Sequence, residues 1–414
     1  MKILHLVAGE LNGGAARGAY WLHTALRNEN TDSSVLTNAR DIRGYDFVDS
    51  IANSGLDRVK VAVLRRIGRA PIRLYRHRED VAFNTGFDGI DITRHPAYAS
   101  ADLVHLHWVN GLVGMGALRK IKKPVIWTLR DMWPMTGGCH QSLGCERYRD
   151  ACGQCPQLGS TREHDLTRLV VRRKERALPS HMRVVGISRW LSEGARQSTL
   201  LGRFPVATIA NCVDTKAFTP VEKSRAKQAL GLGEDRKVLL VGAQNVASVY
   251  KGFDLFLEAL EKLDRNAVQV LLFGNRTGSI PKSLGIPSNN LGFLTDSDSL
   301  RVAYSAADVF VAPSRADAFG KTLVEAMLCG TPVVCFNATG PKDIVDHHET
   351  GYLAEPFSPQ DLADGIQWVL DQRVEAYATM SRIAKERAKQ RFDSRVIAKQ
   401  YLELYREIMR SAES

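Results

Sequence analysis

Short apolar runs alternate along this chain with stretches of helical periodicity, and that alternation constrains the fold more than any other feature. Residues 2–7 lead through Gly13-Gly14-Ala15-Ala16 into a helical pattern over 17–27, and 34–36, 101–106, 125–129 and 182–186 continue the series. It resumes at 237–242 with 268–273, 290–294, 306–314 and 331–336. A continuous apolar run suits a strand covered on both faces, and strands separated by helices pair in parallel. The expected class is α/β, with parallel sheets wrapped by helices. The 414 residues exceed what one core holds, so the rhythm is read as two domains of about 200 residues. Pro205, Asn211 and Pro220 interrupt periodicity at the join. The expected division is 1–205, then 206–385, then a largely helical tail at 386–414.

A content of 44% hydrophobic and 24% charged residues is that of an ordinary globular protein. No apolar run reaches the eighteen or so residues that a membrane-crossing helix needs. The start, MKILHLVAGELNGG, has one Lys and too short an apolar stretch for a signal peptide, so it reads as a first strand and the expected location is cytoplasmic. The net charge of +11 is uneven: residues 58–78 hold eight Lys or Arg and no acid, interleaved with Val59, Val61, Val63, Leu64, Ile67, Ile72 and Leu74. That mixture suits an anionic membrane surface, and a solvated helix face is the competing reading. Tyr75 is the one aromatic there, too few for stacking on single-stranded bases, so no nucleic-acid partner is expected.

Two carboxylates, Asp317 and Glu325, stand eight residues apart across a change of local structure. Phe319-Gly320 makes a corner between them, and Lys321 and Thr322 open a run of helix formers to Cys329. Asp317 then lies on the loop entering a helix and Glu325 just beyond its first turn. The unpaired amides of that helix end favour a phosphate. Acids on either side of a phosphate-attracting end suit a diphosphate flanked by two hydroxyl-rich sugars, which is a nucleotide sugar. The plainer reading is a surface helix with incidental acids. Gly242-Ala243-Gln244-Asn245 closes an earlier strand and Lys251 opens the next helix, where its charge suits a diphosphate or simply caps a solvated helix. Gly13 and Gly14 let backbone approach a ligand closely. His105 and His107 alternate along a strand and share one face.

Cys139, Cys145, Cys152 and Cys155 place four of the seven cysteines within seventeen residues, ending in C-x2-C. In a reducing compartment that density favours four thiolates on one structural Zn²⁺, with His140 able to replace one thiol. Packed reduced thiols are the alternative.

The run 313–334, with Gly340-Pro341-Lys342-Asp343-Ile344-Val345 and Thr350-Gly351-Tyr352-Leu353, resembles the retaining GT-B glycosyltransferases that carry an E-x7-E motif. The first acid here is Asp317, one methylene shorter than the usual Glu. The stretch from Asp131 to Cys139 matches the DxWPxTGGC pattern of bacterial exopolysaccharide glycosyltransferases of the colanic-acid type. The resemblance implies two Rossmann-like domains with parallel sheets facing a cleft, and a tail crossing back to the first. It implies transfer from a nucleotide-sugar donor to a lipid-linked or oligosaccharide acceptor in exopolysaccharide, capsule or lipopolysaccharide synthesis, with no cofactor for catalysis. Asp317 would orient the donor sugar, Glu325 grip the ribose, and Lys251, Gln244 and the Phe319-Gly320-Lys321-Thr322 turn hold the diphosphate. Gly13-Gly14 would close over the donor and His107 touch its sugar. An Arg usual after the strand ending at Gly242 is missing, and Arg130 stands where His is common. A nucleotide-sugar epimerase, a glycoside phosphorylase or a non-catalytic nucleotide-sugar binder on the same scaffold are the rivals. Acceptor dependence separates these from a transferase.

Overall fold

Lys2–Val7, whose side chains are buried from Ile3 onward, is an inner strand of the first unit, third of seven across its sheet. The computed structural model describes residues 1–11, 13–52, 55–275 and 284–413. Two units emerge, one of residues 1–210 with 397–414 and one of residues 211–396. In the first, β1 (Lys2–Val7), β2 (Asp32–Thr37), β3 (Val48–Ser50), β4 (Leu103–Leu106), β5 (Val125–Leu129), β6 (Met182–Gly186) and β7 (Val206–Thr208) form one sheet in the order β3-β2-β1-β4-β5-β6-β7. Every pairing is parallel. Its helices include α1 (Gly14–Asn28), α2 (Gly55–Arg69) and α3 (Leu166–Ala177).

The second unit holds β8 (Lys237–Asn245), β9 (Val268–Asn275), β10 (Ser288–Asn290), β11 (Val309–Ala312), β12 (Val333–Phe336) and β13 (Gly351–Ala354), ordered β10-β9-β8-β11-β12-β13 and again parallel throughout. α4 (Phe253–Leu260) follows β8, and α5 (Lys321–Leu328) links β11 to β12. Leu239, Val241, Val270, Val309, Val311 and Val334 build its core with Phe253 and Phe256. Two Rossmann-like α/β units with parallel sheets are thus what the strand–helix rhythm anticipates.

Boundaries moved for local reasons. The third apolar run of the second unit pairs only over Ser288–Asn290, not 290–294, because the Asn290 side chain turns back to accept from the Gly292 amide at 3.0 Å. Ala306 ends a helix begun at Ser297 and does not start β11. The short strands β3, β7 and β13 carry no long apolar run and were not anticipated. The tail is a helix over Val374–Phe392, a break at Asp393, and α6 (Ser394–Glu413).

α6 reaches the first sheet through two phenols. Tyr405 hydroxyl bonds His105 Nδ1 at 2.7 Å, and Tyr401 hydroxyl bonds Thr128 Oγ1 at 2.8 Å, while Thr128 Oγ1 also meets His105 Nε2 at 2.7 Å. All four residues are buried. Tyr405→Phe keeps the ring and strands a buried imidazole nitrogen, so unfolding should become easier by about 1–3 kcal/mol. Denaturant titration checks it; no loss would mean that the hydroxyl contributes nothing to docking α6.

Candidate functional site

Gly252 decides how the second unit's polar loops meet. It sits at φ +60 before α4, and a Cβ there would lie 2.0 Å from the Pro313 carbonyl oxygen. Only glycine lets the loop after β8 press directly on the loop after β11. Tyr250 carbonyl accepts from the Ala316 amide at 3.1 Å, and Arg315 forks onto the Asp254 carboxylate at 2.6 and 2.5 Å. The outcome is a contact of 2.5 Å between Lys251 Nζ and Asp317 Oδ2. Burial raises the Asp317 carboxyl, but the Lys251 charge and hydrogen bond, with the Phe319 and Gly320 amides, outweigh it and hold the group below the usual carboxylate range.

The following turn is pinned from a third loop. Gly340 amide donates to the Asp317 carbonyl at 2.9 Å, and Asp317 amide donates to Thr339 Oγ1 at 3.3 Å. Gly320, at φ +102, turns the chain into α5, whose N-terminus has no side-chain cap. Its first amides are therefore left for an anion. Glu325, 2% exposed, accepts from Tyr304 hydroxyl at 2.9 Å and lies 4.0 Å from Lys321 Nζ. Lys251, Asp317, Lys321, Thr322 and Glu325 belong to this one arrangement. Phe319 departs from it: the ring is buried and packs edge-on against Phe392 at 5.4 Å, so it supports the turn from below. Gln244 stands exposed at the carboxyl end of β8.

In the first unit Gly13 caps α1 and Gly14 starts it, and a Cβ at Gly14 would meet nothing within 4 Å. The open space suits close ligand approach. His107 is placed otherwise than expected. It is 1% exposed, its Nδ1 accepts from Arg130 at 3.1 Å, and its Nε2 donates to His5 Nδ1 at 2.9 Å. Both ring nitrogens are committed inside the sheet, so this geometry does not offer His107 to a sugar. His5, His105 and His107 bring ligand atoms within 4.8 Å of one another. Burial first, then mutual repulsion or the Arg130 charge, lowers all three well below the ordinary imidazole range. A guanidinium beside neutral rings disfavours a metal cation there.

His140, weighed as a zinc ligand, is instead held by Asp131. Its Nδ1 lies 2.6 Å from Asp131 Oδ2, its Nε2 3.3 Å from Asn110 Nδ2, and Trp108 Nε1 donates to the same carboxylate oxygen at 2.7 Å. Asp131 also ties down the start of the turn at Trp133–Met135 by accepting from the Trp133 amide at 2.9 Å. Sequence reading missed this acid–imidazole pair and the Asp254–Arg315 pair. Partners nine and sixty-one residues apart signal nothing until the backbone brings them together. Cys139, Cys145, Cys152 and Cys155 are all free and line one pocket. Burial pushes the Cys152 thiol up to about 11 and Cys155 up to about 12, and raises Cys139 as well.

The sequence pattern of the family described as "Glycosyl transferases group 1" matches residues 222–387. A D-inositol 3-phosphate glycosyltransferase of Saccharomonospora viridis is 30% identical over 79% of this chain and 74% of its own length. The same-named protein of Mycolicibacterium smegmatis is 28% identical over 75% and 68%. Among solved structures, sucrose-phosphate synthase from Thermosynechococcus elongatus superposes with a TM-score of 0.69 at 23% identity, covering 99% of this chain and 100% of that one. Anabaena HepE, solved in complex with UDP-glucose, gives 0.65 at 20% identity, covering 98% and 100%. These structural likenesses concern the fold.

A carboxyl held below its ordinary range contributes stability above that range and loses it as pH falls through the lowered value. Asp317→Asn should therefore cost roughly 1 kcal/mol at pH 7, discounted for partial exposure of both partners, and the cost should vanish on acidification. Paired denaturant titrations from pH 7 to pH 3 measure it; a cost independent of pH would remove the ion pair as its source.

Proposed function

The chain belongs to the group 1 glycosyl transferase family, and from that premise we propose a retaining enzyme that transfers a sugar from a nucleotide-sugar donor to a lipid-linked saccharide in exopolysaccharide, capsule or lipopolysaccharide synthesis. The observation that carries this reading is the Lys251–Asp317 contact beside the uncapped start of α5, with Glu325 one turn in. The donor diphosphate lies on the α5 amides and draws Lys251 from Asp317, which frees the carboxylate to accept from donor-sugar hydroxyls. Glu325 accepts from both ribose hydroxyls, a charge-assisted pair. The acceptor oxygen attacks the anomeric carbon on the face the diphosphate leaves. As that C–O bond forms, the bond to phosphate breaks and the acceptor proton passes to a diphosphate oxygen. Lys251 and the α5 amides stabilise the departing charge. With His107 committed internally, the polar pair Asp131–His140 is the first unit's better candidate to meet an acceptor hydroxyl.

The curated relatives are named for a phosphorylated polyol, D-inositol 3-phosphate. A lipid-linked acceptor is favoured here by a surface on the first unit. α2 packs inward through Gly68, whose carbonyl accepts from Thr85 Oγ1 at 2.8 Å. Its opposite face exposes Val59 (61%), Val63 (51%) and Ile67 (58%), and Leu74 beyond it is 82% exposed. Arg66, Arg69 and Arg73 are exposed beside them. Leu74 also lines a groove with Leu169, Arg168 and Arg172. Apolar side chains ringed by arginines fit an anionic headgroup layer, so the protein is read as a peripheral membrane enzyme. Among the described residues no helix is long and apolar enough to cross a membrane.

Glu325→Gln should weaken binding of the correct donor by about 1.5–3 kcal/mol, and Lys251→Ala should lower turnover on the order of 10²-fold. Calorimetry with a panel of nucleotide sugars, followed by assay of nucleotide release with membrane extract, reads both. Unchanged donor affinity in a folded Glu325→Gln protein would sink the ribose assignment.

Arg65 and Arg69 act on the buried Asp88 carboxyl, so the membrane test leaves them in place. Arg66→Gln/Arg73→Gln and Ile67→Ser/Leu74→Ser should each reduce co-sedimentation with anionic vesicles, the first variant with a weaker salt dependence than wild type. Equal pelleting of wild type and both variants at low salt would make this a solvated face.

A further inference from the structure

The segment between Trp133 and Asp165 holds its cysteines in a way that packed thiols alone do not require. All four cysteines line one pocket, together with Gly137, Gly138 and Thr167. Gly137 amide donates to Cys152 Sγ at 3.2 Å, the kind of bond that orients a thiolate ligand. Ala151, Cys152 and Gln154 all take positive φ, 59°, 58° and 44°, a conformation that non-glycine residues keep only when their surroundings over-determine it. The turn's amides are engaged elsewhere: Cys152 donates to Arg147 carbonyl at 2.8 Å, and Cys155 to Asp165 Oδ2 at 2.9 Å.

The second observation is a charge. Lys174 on α3 is 2% exposed. Its Nζ donates to the carbonyls of Trp133 and Thr136 and lies 3.6 Å from the centre of the Trp133 ring. Among the described residues no carboxylate lies within ion-pair distance of it. Thr136 immediately precedes the amide that faces Cys152. Burial lowers the Lys174 amine to about 7, and an anion packed close to it is what keeps such a buried amine charged.

We propose that Cys139, Cys145, Cys152 and Cys155 bind one Zn²⁺ as a tetrahedral tetrathiolate, with the buried Lys174 ammonium as part of its counter-charge. Four thiols lose four protons to the solvent as Zn²⁺ binds, leaving a centre of charge −2. The four Zn–S bonds, about 2.3 Å each, demand closer sulfurs than the structure shows, since among the described residues no three of these thiols lie mutually within 4.8 Å. Binding therefore draws the thiols inward around the ion. With four protein ligands the site has no open position and is structural. Cys139 adjoins His140, so the ion anchors the loop that delivers His140 to Asp131. This inference is independent of the donor assignment.

The full chain, purified under reducing conditions without chelator, should carry about one zinc by elemental analysis. Titration with an organomercurial should release that zinc, read with a chromogenic chelator, in step with four thiols. Cys145→Ser should lower the zinc content at least tenfold, and Lys174→Met should weaken zinc retention against a competing chelator about tenfold. The wild-type titration stands even where a variant fails to fold. Seven free thiols with no metal, disulfides on peptide mapping, or iron with acid-labile sulfide would each overturn the zinc site. Unchanged zinc retention in folded Lys174→Met would overturn the counter-charge.

Discussion

Both sheets are parallel and covered on their two faces, and that single constraint drives polar chemistry to the strand ends. A buried backbone in the sheet is satisfied by its neighbours, whereas a buried side-chain charge needs its own partner. In the second unit the rule holds closely: the inner strands β8, β9, β11 and β12 are largely apolar, and Lys251, Asp317, Arg315 and Asp254 all lie on loops after β8 and β11 or at the helix starts they lead into. In the first unit three imidazoles break it. They remain in the sheet because Arg130, Tyr405 and Thr128 meet their nitrogens, and because burial keeps them neutral. Among the described atoms His5 Nε2 alone of that set has no hydrogen-bond partner.

The contact of Gly252 with Pro313 does for the second unit what the histidine cluster does for the first. It converts two loops separated by about sixty residues into one rigid corner. The ion pair at that corner is close but replaceable, since both side chains keep some exposure, 28% and 20%. A ligand with more negative charge than one carboxylate competes well for the same ammonium. A salt bridge of this kind contributes modestly to stability and fixes the Lys251 side chain at the corner.

In the first unit the segment after β5 carries several coupled features. Asp131 ties down a turn and orients His140, His140 follows Cys139, and Thr136 receives Lys174 from α3. The cysteines and the acid–imidazole pair therefore share one short piece of chain, which the buried lysine of α3 meets at Thr136.

The parallel α/β class, most strands and the helix entered at Gly320 were legible because apolar runs and glycine corners act locally, through burial and backbone freedom. The motif residues Lys251, Asp317 and Glu325 were legible in the same way, as acids and a lysine at element boundaries. Their meeting was not, for it depends on the missing Cβ of Gly252 against a carbonyl far along the chain. Nor was the fate of His107 legible, since alternation places its side chain on a face without saying what Arg130 and His5 will occupy. Phe319 turned inward because Phe392, seventy-three residues later, offered a ring to pack on. Local propensity is written residue by residue; who meets whom is decided only when the sheets close and each buried polar atom has to find a partner.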